Sequence, residues 1–323
     1  MDPKPFLRGI AFDGNERVPY PRAKPDPRLP QDTWAQARIP VGVRLELVAD
    51  AEAVEIDYRT TTEDLGYRGD AAGRAFTSWS DGERLDEQEA ELGEGTVRLG
   101  ASGGRTIVYL PEGMRPTILD VHAAGGGSIA PAPEQPRWIA YGDSVAEGWC
   151  ASEPAMAWPA IAGRDLGFDV VNMAYAGAAR GEVVSAEHIA QMRADVITVT
   201  HGTNCWTRAP HSVELFAAAV RAFLEVVREG HPETPIVVVS PVVRPDAETT
   251  QNRLGASLED LRAAMEAVAR DRIGSGDLHL ELVPGRHLVH ESQLADGIHP
   301  DDDGHRALAD AIGPVLRKMV EGS

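Results

Sequence analysis

The sequence predicts a two-domain α/β protein in which an all-β sandwich precedes a doubly wound domain with a five-stranded parallel sheet. Two patterns of apolar residues support this prediction. Between about positions 34 and 124, apolar residues alternate with polar ones. From about position 137, apolar residues form continuous runs that are separated by helical patterns. The length of 323 residues also exceeds what one core usually serves. We expect a jelly-roll-like sandwich over residues 1–133 and the α/β domain over residues 134–323.

The first half is predicted to be a series of short strands. Five segments carry an apolar residue at every second position, as strands with one buried face do. These segments are residues 43–50, 53–60, 96–101, 105–110 and 117–123. Turns are expected at Asp81-Gly82, over Gly93–Gly95 and at Gly103-Gly104. No convincing helical period interrupts this region, which favours a β-sandwich.

The second half begins after residues 123–136, a segment whose alanine, glycine and proline content is typical of a linker. Continuous apolar runs then predict parallel strands that helices cover on both faces. These runs are residues 138–142, 170–174, 195–200, 235–240 and 278–283. Helical spacing predicts one helix that stops near Gly230, a second that Ser257 caps with Asp260 in the capping-box position, and a last helix carrying Leu308.

The overall charge argues against two classes of partner. The formal net charge is −19, whereas binding to nucleic acid or to an anionic membrane needs clustered lysine and arginine. No apolar run approaches the roughly 20 residues of a membrane span, and the N-terminus lacks the apolar core of a signal peptide. Cys150 and Cys205 are too few for a disulfide framework. We expect a cytoplasmic protein without a nucleic-acid or membrane partner.

Residues that can take part in catalysis, through a polar side chain or a backbone N–H, follow the ends of the predicted parallel strands. In open α/β sheets, functional groups gather beyond the carboxyl ends of the strands, so these residues are expected at one edge. In chain order they are Ser144, Gly177, Asn204, Arg244 and the pair Asp296 and His299.

This set contains the groups that catalysis by a serine nucleophile requires, namely a base, a group that orients the base, and donors for the oxyanion. His299 can take the proton of Ser144, and Asp296, three residues before the histidine, can bond its far ring nitrogen. The backbone N–H groups of Ser144 and Gly177 and the side-chain amide of Asn204 can converge on one oxyanion.

Other interpretations stay open at this stage. A serine after a strand is commonly a helix cap or turn residue, and Asn204 can be a turn former. The stretch DGIHPDDDGH around His299 can be an Asp/His metal site, but its spacing follows no standard pattern, and we expect no metal. His201 is a rival base, which we disfavour because no aspartate neighbours it in the sequence.

Four blocks resemble, in order, the motifs of the SGNH (GDSL-type) hydrolase superfamily, and the resemblance covers roughly residues 137–320. The stretch 142–148, GDSVAEG, looks like the first block, whose serine is the nucleophile. Residues 172–177 resemble the second block, whose last glycine supplies an oxyanion N–H, and residues 202–204 resemble the third, whose asparagine completes the oxyanion hole. The stretch 296–300, DGIHP, looks like the fifth block, which holds the base and its aspartate.

Two positions depart from the pattern of that superfamily. Ala174 stands where many members have glycine, and Cys205 stands where many have aspartate after the asparagine of the third block. Neither change removes a catalytic group, so the resemblance implies an SGNH-type fold and its serine chemistry. A sandwich ahead of such a domain is similar to the two-domain carbohydrate esterases of this superfamily.

The sequence therefore predicts a serine esterase that needs no cofactor and removes short acyl groups, acetyl foremost, from a polar, sugar-like small molecule. The predicted substrate-binding residues are Trp149, Arg180, Trp206 and Arg244, because aromatic and cationic side chains near the blocks suit a polyhydroxyl ligand. Alternatives are core packing for the tryptophans and surface ion pairs for the arginines. For the whole chain, the alternative functions are an acyltransferase or thioesterase of a biosynthetic pathway, and a non-catalytic glycan-binding protein.

Overall fold

Alternating apolar residues of the first half form the inner faces of two antiparallel sheets. The structure is a computed structural model and describes residues 1–63, 65 and 73–322. The strands of this half are β1 (Leu7–Arg8), β2 (Arg44–Ala49), β3 (Ala53–Thr60), β4 (Ala75–Ser80), β5 (Glu83–Glu89), β6 (Gly93–Gly100), β7 (Arg105–Tyr109), β8 (Thr117–Ala124) and β9 (Ile129–Pro131).

These strands pack as the predicted sandwich. Across the described residues, one sheet has the order β1-β2-β7-β4-β5, with β9 also paired to β2, and the other has the order β6-β3-β8. Side chains from both sheets bury each other in a single core, because each strand turns every second side chain inward. Members of that core include Leu45, Leu47, Val54, Ile56, Val97, Leu99 and Val108.

The structure corrects two predictions for this half. The turn predicted over Gly93–Gly95 is wrong, because Gly93 begins β6 and pairs with Thr60 of β3. The linker predicted over residues 123–136 is wrong in part, because β9 lies within it and pairs with β2. The Asp81-Gly82 turn is confirmed: both residues have positive φ, 49° and 82°, as the tight turn of the β4–β5 hairpin requires.

Part of the segment between β1 and β2 packs on the α/β half, whereas Tyr20 and Val43 of the same segment lie in the sandwich core. It contains a short helix, α1 (Gln31–Ala37), which the sequence did not predict. Ala23, Leu29 and Ala37 lie in the same apolar core as residues of the parallel sheet. The division of the chain between residues 133 and 134 stays a prediction.

The second half alternates strands and helices, as predicted. Its elements are β10 (Arg137–Gly142), α2 (Ser144–Glu147), α3 (Trp158–Leu166), β11 (Asp169–Ala174), α4 (Val183–Ala190), β12 (Val196–Thr200), α5 (Thr203–Thr207), α6 (Val213–Gly230), β13 (Ile236–Val239), α7 (Leu258–Gly274), β14 (Leu280–Val283) and α8 (Asp302–Glu321). The predicted capping box at Ser257 and Asp260 is present at the start of α7. In the described part of the chain, every helix is too short or too polar to span a bilayer.

The five parallel strands form one sheet in the order β11-β10-β12-β13-β14, which confirms the predicted doubly wound fold. Each face of this sheet packs against its own apolar core. Successive residues of a strand point to opposite faces, so neighbouring residues of β10 belong to different cores. Trp138 packs with the α3 and α8 side, and Ile139 packs with the α6 and α7 side. The chain leaves β10 in one direction, to β11, and later returns to its other side as β12. A crevice therefore opens between the carboxyl ends of β10 and β12.

Candidate active site

Ser144 stands on a sharp corner where β10 ends. The strand stops at Gly142, where an added Cβ would lie 2.2 Å from Thr200 Oγ1 and 2.6 Å from Ala146 Cβ. Only glycine therefore allows β12 and α2 to approach this closely. Asp143 caps α2 by accepting the N–H of Val145 at 3.1 Å, and Ser144 is the first residue of that helix. The corner fixes the position of the serine hydroxyl.

The structure brings Ser144, His299 and Asp296 together in one hydrogen-bonded line. His299 Nε2 lies 2.9 Å from Ser144 Oγ, and its Nδ1 lies 2.7 Å from Asp296 Oδ2. The other oxygen of Asp296 accepts the backbone N–H groups of Ile298 and His299 at 3.0 and 2.8 Å, so the turn holds the carboxylate in place.

The charge of Asp296 fixes the tautomer of the ring. Partial burial raises the pKa of Asp296, but the hydrogen bonds from His299 and Ile298 outweigh it and leave that pKa below its ordinary value. An ionised carboxylate only accepts hydrogen bonds, so Nδ1 of His299 carries the ring proton. Nε2 therefore presents a lone pair to the hydroxyl of Ser144.

Helix α8 connects the loop after Ser144 to the loop that holds His299. The carboxylate of Asp302 accepts the N–H and the hydroxyl of Ser152 at 2.8 and 2.6 Å. His305, buried in the same helix, accepts the N–H of Trp158 through Nδ1 at 3.4 Å, and its Nε2 lies 3.2 Å from the carbonyl oxygen of Trp149. These contacts join two regions that are 155 residues apart in the chain.

The predicted oxyanion donors follow the carboxyl ends of three adjacent strands, β10, β11 and β12. Gly177 has a φ of 67°, a left-handed conformation that favours glycine. The side-chain amide of Asn204 donates to the carbonyl of Ala179 at 3.0 Å, so Asn204 is bound to the loop that carries Gly177. A primary amide has two N–H groups, and this bond fixes the orientation of the second. Thr203, the residue before Asn204, bonds the carboxylate of Asp143.

The sequence did not reveal a buried ion pair beneath this site. Arg22 and Glu147 have side chains only 1% and 0% exposed, and Arg22 Nη2 lies 2.6 Å from Glu147 Oε1. The other oxygen of Glu147 accepts the N–H of Ala176, next to Gly177, at 2.7 Å. Arg22 also donates to the carbonyl of Ala174 and lies over the ring of Tyr175. The N-terminal segment thus helps to position both α2 and the Gly177 loop.

One predicted substrate-binding residue, Trp149, lies beside His299. The ring centroid of Trp149 is 5.9 Å from that of His299. On its other side, Trp149 packs against Ile39 and Val41, which precede β2. Ile39 and Val41, which precede the parallel sheet in the chain, therefore support one wall of the site.

The other predicted substrate-binding residues have partners of their own. Arg244 lies 5.0 Å from the centroid of the Trp206 ring and bonds Asp246 at 2.9 Å. Arg180 forms ion pairs with Asp32 and Glu182. The ion-paired alternative therefore describes both arginines, and a role in substrate binding stays a prediction for them and for Trp206.

His201 does not occupy the position of a base. It is buried between the rings of Tyr141, Phe216 and Phe223, and neither ring nitrogen has a hydrogen-bond partner among the described residues. Burial lowers the pKa of His201 to about 3, so the ring is neutral.

Cys150 lies beside Asp296 and His299, with one potential metal-ligand atom from each residue within 4.8 Å of the others. Nothing in the sequence indicated this proximity.

A sequence model of the GDSL-like Lipase/Acylhydrolase family matches residues 135–317. A GDSL lipase of Mycobacterium tuberculosis is 30% identical over 115 residues, which are 35% of this chain and 46% of that relative. The match thus spans less than half the length of the curated relative.

Solved structures share the fold over both halves of the chain. The salicylyl-acyltransferase SsfX3 from a tetracycline biosynthetic pathway has a TM-score of 0.81 at 22% identity, covering 94% of this chain and 92% of that one. A protein described as a GDSL-like lipase from Bacteroides ovatus has a TM-score of 0.79 at 19% identity, with coverages of 98% and 95%.

A family two carbohydrate esterase from Clostridium thermocellum, solved with cellohexaose, has a TM-score of 0.65 at 17% identity, with coverages of 86% and 92%. At these identities the likenesses establish the shared fold, and the family follows from the sequence match. The motif blocks that the sequence analysis singled out lie within the matched residues. The chain belongs to the GDSL-like lipase/acylhydrolase family.

Proposed function

We propose that the protein is a serine esterase in which Ser144 forms an acyl-enzyme. The observation that carries this proposal is the double contact of His299, whose Nε2 is 2.9 Å from Ser144 Oγ while Nδ1 is 2.7 Å from Asp296 Oδ2. Nucleophile, base and orienting group are within hydrogen-bond reach of one another, which is the arrangement that serine catalysis needs.

The reaction proceeds in two halves. Ser144 Oγ attacks the ester carbonyl while His299 Nε2 takes the hydroxyl proton, and Asp296 stabilises the imidazolium that forms. The tetrahedral intermediate collapses, the C–O bond to the alcohol breaks, and His299 returns the proton to the departing oxygen. Water then attacks the acyl-enzyme with His299 again as the base, the acid is released, and Ser144 regains its proton.

The proposed oxyanion hole consists of the N–H groups of Ser144 and Gly177 and the amide of Asn204. These donors are fixed before substrate arrives, since Asn204 is bound to Ala179 and the Gly177 loop to Glu147. Donors that need no reorganisation stabilise the developing negative charge most effectively.

For the substrate, we propose a short acyl group, acetyl foremost, on a polar, sugar-like alcohol. Trp149 beside His299 offers an aromatic face of the kind on which sugars stack. The residues behind Trp149 belong to the segment before β2, so a ligand at this wall lies between the two halves of the chain, where ligand sites are common. The formal charge of −19 favours a neutral or cationic substrate over an anionic surface. A cytoplasmic location is part of the proposal, and the buried, reduced thiol of Cys205 supports it.

Acyl transfer is a second candidate. An acyl-enzyme can pass its acyl group to water or to another alcohol, so the same residues support hydrolysis and transfer. A thioester substrate would form the same acyl-enzyme. The fold likeness to SsfX3, a salicylyl-acyltransferase, extends over both halves of this chain and favours keeping this candidate.

An organophosphonate probe tests the proposed nucleophile. We expect one adduct, located by mass spectrometry on the peptide that holds Ser144, and its loss in Ser144→Ala together with essentially all turnover. Ser152→Ala, in the same loop, is the matched control and should keep the adduct. An adduct on another residue, or an active Ser144→Ala protein, would contradict the proposal. A wild-type protein with neither adduct nor turnover would favour a non-catalytic glycan-binding protein.

A series of acyl esters tests the substrate class. The ratio kcat/KM for acetyl, butyryl, octanoyl and palmitoyl esters of one alcohol should fall steeply beyond butyryl. An optimum at octanoyl or longer would refute the short-acyl proposal. The same ester with and without an added alcohol, compared with an acyl thioester, separates hydrolysis from transfer and thioesterase activity.

A further inference from the structure

We propose that Cys150, Asp296 and His299 form an inhibitory binding site for a divalent cation of the zinc type. The three side chains offer a thiol sulfur, a carboxylate oxygen and an imidazole nitrogen, and these ligand atoms lie within 4.8 Å of one another. Thiolate, carboxylate and imidazole are the ligands that Zn²⁺ prefers in proteins, and three protein ligands leave a fourth, open position in a tetrahedral site.

The ligands are held in place before any ion arrives. Asp296 is fixed by the N–H groups of Ile298 and His299, and His299 by its contacts with Asp296 and Ser144. The loop of Cys150 is bound to α8 two residues later, through Ser152. The three side chains are therefore close together before an ion binds. Binding needs their ligand atoms to move closer than the present separations of up to 4.8 Å, and it replaces one of the two hydrogen bonds of His299.

The site is reachable and its charge suits a cation. Cys150 and His299 are half-buried and Asp296 is exposed, so an ion reaches the cluster from solvent. An aspartate side chain carries a negative charge at neutral pH, which suits a cation. A chain with a formal charge of −19 also attracts cations.

An ion bound to either ring nitrogen of His299 would prevent His299 from accepting the proton of Ser144. When the ion binds, the thiol of Cys150 loses a proton to water and a metal–sulfur bond forms. If the ion takes Nε2 of His299, it occupies the lone pair that accepts the proton of Ser144. If it takes Nδ1, the one remaining ring proton sits on Nε2, which then accepts nothing. The inhibition, though not the binding, rests on the proposed function of His299.

A second group of potential ligands provides an internal comparison. Asp57, Asp120 and His122 on the sandwich also lie within 4.8 Å of one another, but they include no sulfur. Because soft thiolate ligands select zinc-type ions, only the Cys150 site should give a sulfur–metal signal.

Cobalt(II) absorption tests binding without relying on activity. Titration of the full chain with Co²⁺ should produce a thiolate-to-cobalt charge-transfer band in the wild type and in Ser144→Ala. The matched control Cys205→Ala removes the other cysteine and should keep the band, whereas Cys150→Ala should lose it. Competition with Zn²⁺ then measures zinc affinity, which Cys150→Ala should weaken by at least the roughly 10- to 100-fold that a lost outer-shell partner costs.

Zinc inhibition of ester hydrolysis tests the consequence. Each protein is compared with its own metal-free rate, and Zn²⁺ should inhibit the wild type and Cys205→Ala at concentrations that leave Cys150→Ala active. Cys150→Ser serves as a second variant if alanine disturbs folding. A charge-transfer band that survives in Cys150→Ala, no band in the wild type, or equal zinc inhibition of all variants would overturn the proposal. A band with no esterase activity in any protein would contradict the proposed function alone.

Discussion

Replacing Arg22 by methionine should reveal how strongly the N-terminal segment supports the active site. The change removes a buried positive charge and leaves the carboxylate of Glu147 in place. Both side chains are at most 1% exposed, so water does not substitute for the lost guanidinium. Removing one partner of a buried ion pair typically costs about 3–5 kcal/mol, and we expect a loss in that range in the free energy of unfolding.

The same substitution should also lower kcat. Glu147 accepts the N–H of Ala176 at 2.7 Å, and Gly177 follows directly. A displaced Glu147 therefore moves a proposed oxyanion donor, whose complete loss costs about 100- to 1,000-fold in kcat. We expect a smaller fall than that in Arg22→Met, with KM little changed, because the donor acts mainly in the transition state.

Urea unfolding followed by tryptophan fluorescence measures the stability effect, and two further variants sharpen the result. Arg22→Met combined with Glu147→Gln removes the charge but keeps an acceptor for Ala176, so the double variant should be more stable than Arg22→Met by about 0.5–3 kcal/mol. Arg306→Met breaks an exposed pair with Asp165, with side chains 43% and 45% exposed, and should cost no more than about 1 kcal/mol. If the double variant were no more stable than the single one, the reasoning would be refuted.

Three further predictions concern single side chains. Asp296→Asn should lower kcat by about 10⁴-fold because the amide favours the wrong tautomer of the base, whereas near-normal kcat would make Asp296 a turn residue. Asn204→Ala should lower kcat by about 100- to 1,000-fold with little change in KM, and a pure KM effect would identify a ground-state contact instead. Burial lowers the pKa of His201 to about 3, compared with 6.5 for an exposed histidine. Above pH 6.5 the residue is neutral in both the folded and the unfolded chain and has no effect on stability. As the pH falls from 6.5 towards 3, only the unfolded chain binds the proton, so the free energy of unfolding decreases. Between pH 8 and pH 5 this amounts to about 2 kcal/mol, which His201→Phe should abolish in urea unfolding at the two pH values; an unchanged pH dependence would show that the buried ring is not the cause.

The parallel sheet and the residues at its edge were predictable because each has a local signal. A strand such as β10 is covered on both faces and is therefore continuously apolar, and the chain must break at Gly142 for Ser144 to stand on the corner. His299 and Asp296 share one short turn, so their spacing was visible in the sequence. The fold class then places the loops that follow the strands at one edge of the sheet.

Strands β4 and β5 escaped prediction for opposite reasons. β4 is buried on both faces, because Trp79 packs outside the sandwich core with Ile107 and Tyr109 near α3, so the strand shows no alternation. β5 lies at the edge of its sheet, and its residues are almost all exposed and mostly charged, as residues of edge strands often are. Neither pattern resembles a strand with one buried face.

The contacts under and beside Ser144 were not predictable at all. Arg22 and Glu147 are 125 residues apart, and nothing in either neighbourhood marks a partner at that distance. Cys150 follows Trp149 in an otherwise unremarkable loop, and only the folded turn, with a φ of 65° at Cys150, brings it to His299. Such pairs depend on how loops meet after the sheet has formed.

The contacts of α8 with the Ser144 loop have a consequence for protein synthesis. Every strand of the parallel sheet precedes α8 in the chain, so the sheet can assemble on the ribosome before Asp302 and His305 emerge. Until α8 docks, the apolar face around Trp158 lies uncovered and His299 has no fixed place beside Ser144. If Ser144 is the nucleophile that we propose, the chain therefore becomes able to hydrolyse esters only when α8 docks. Until then it exposes an apolar surface of the kind that chaperones bind.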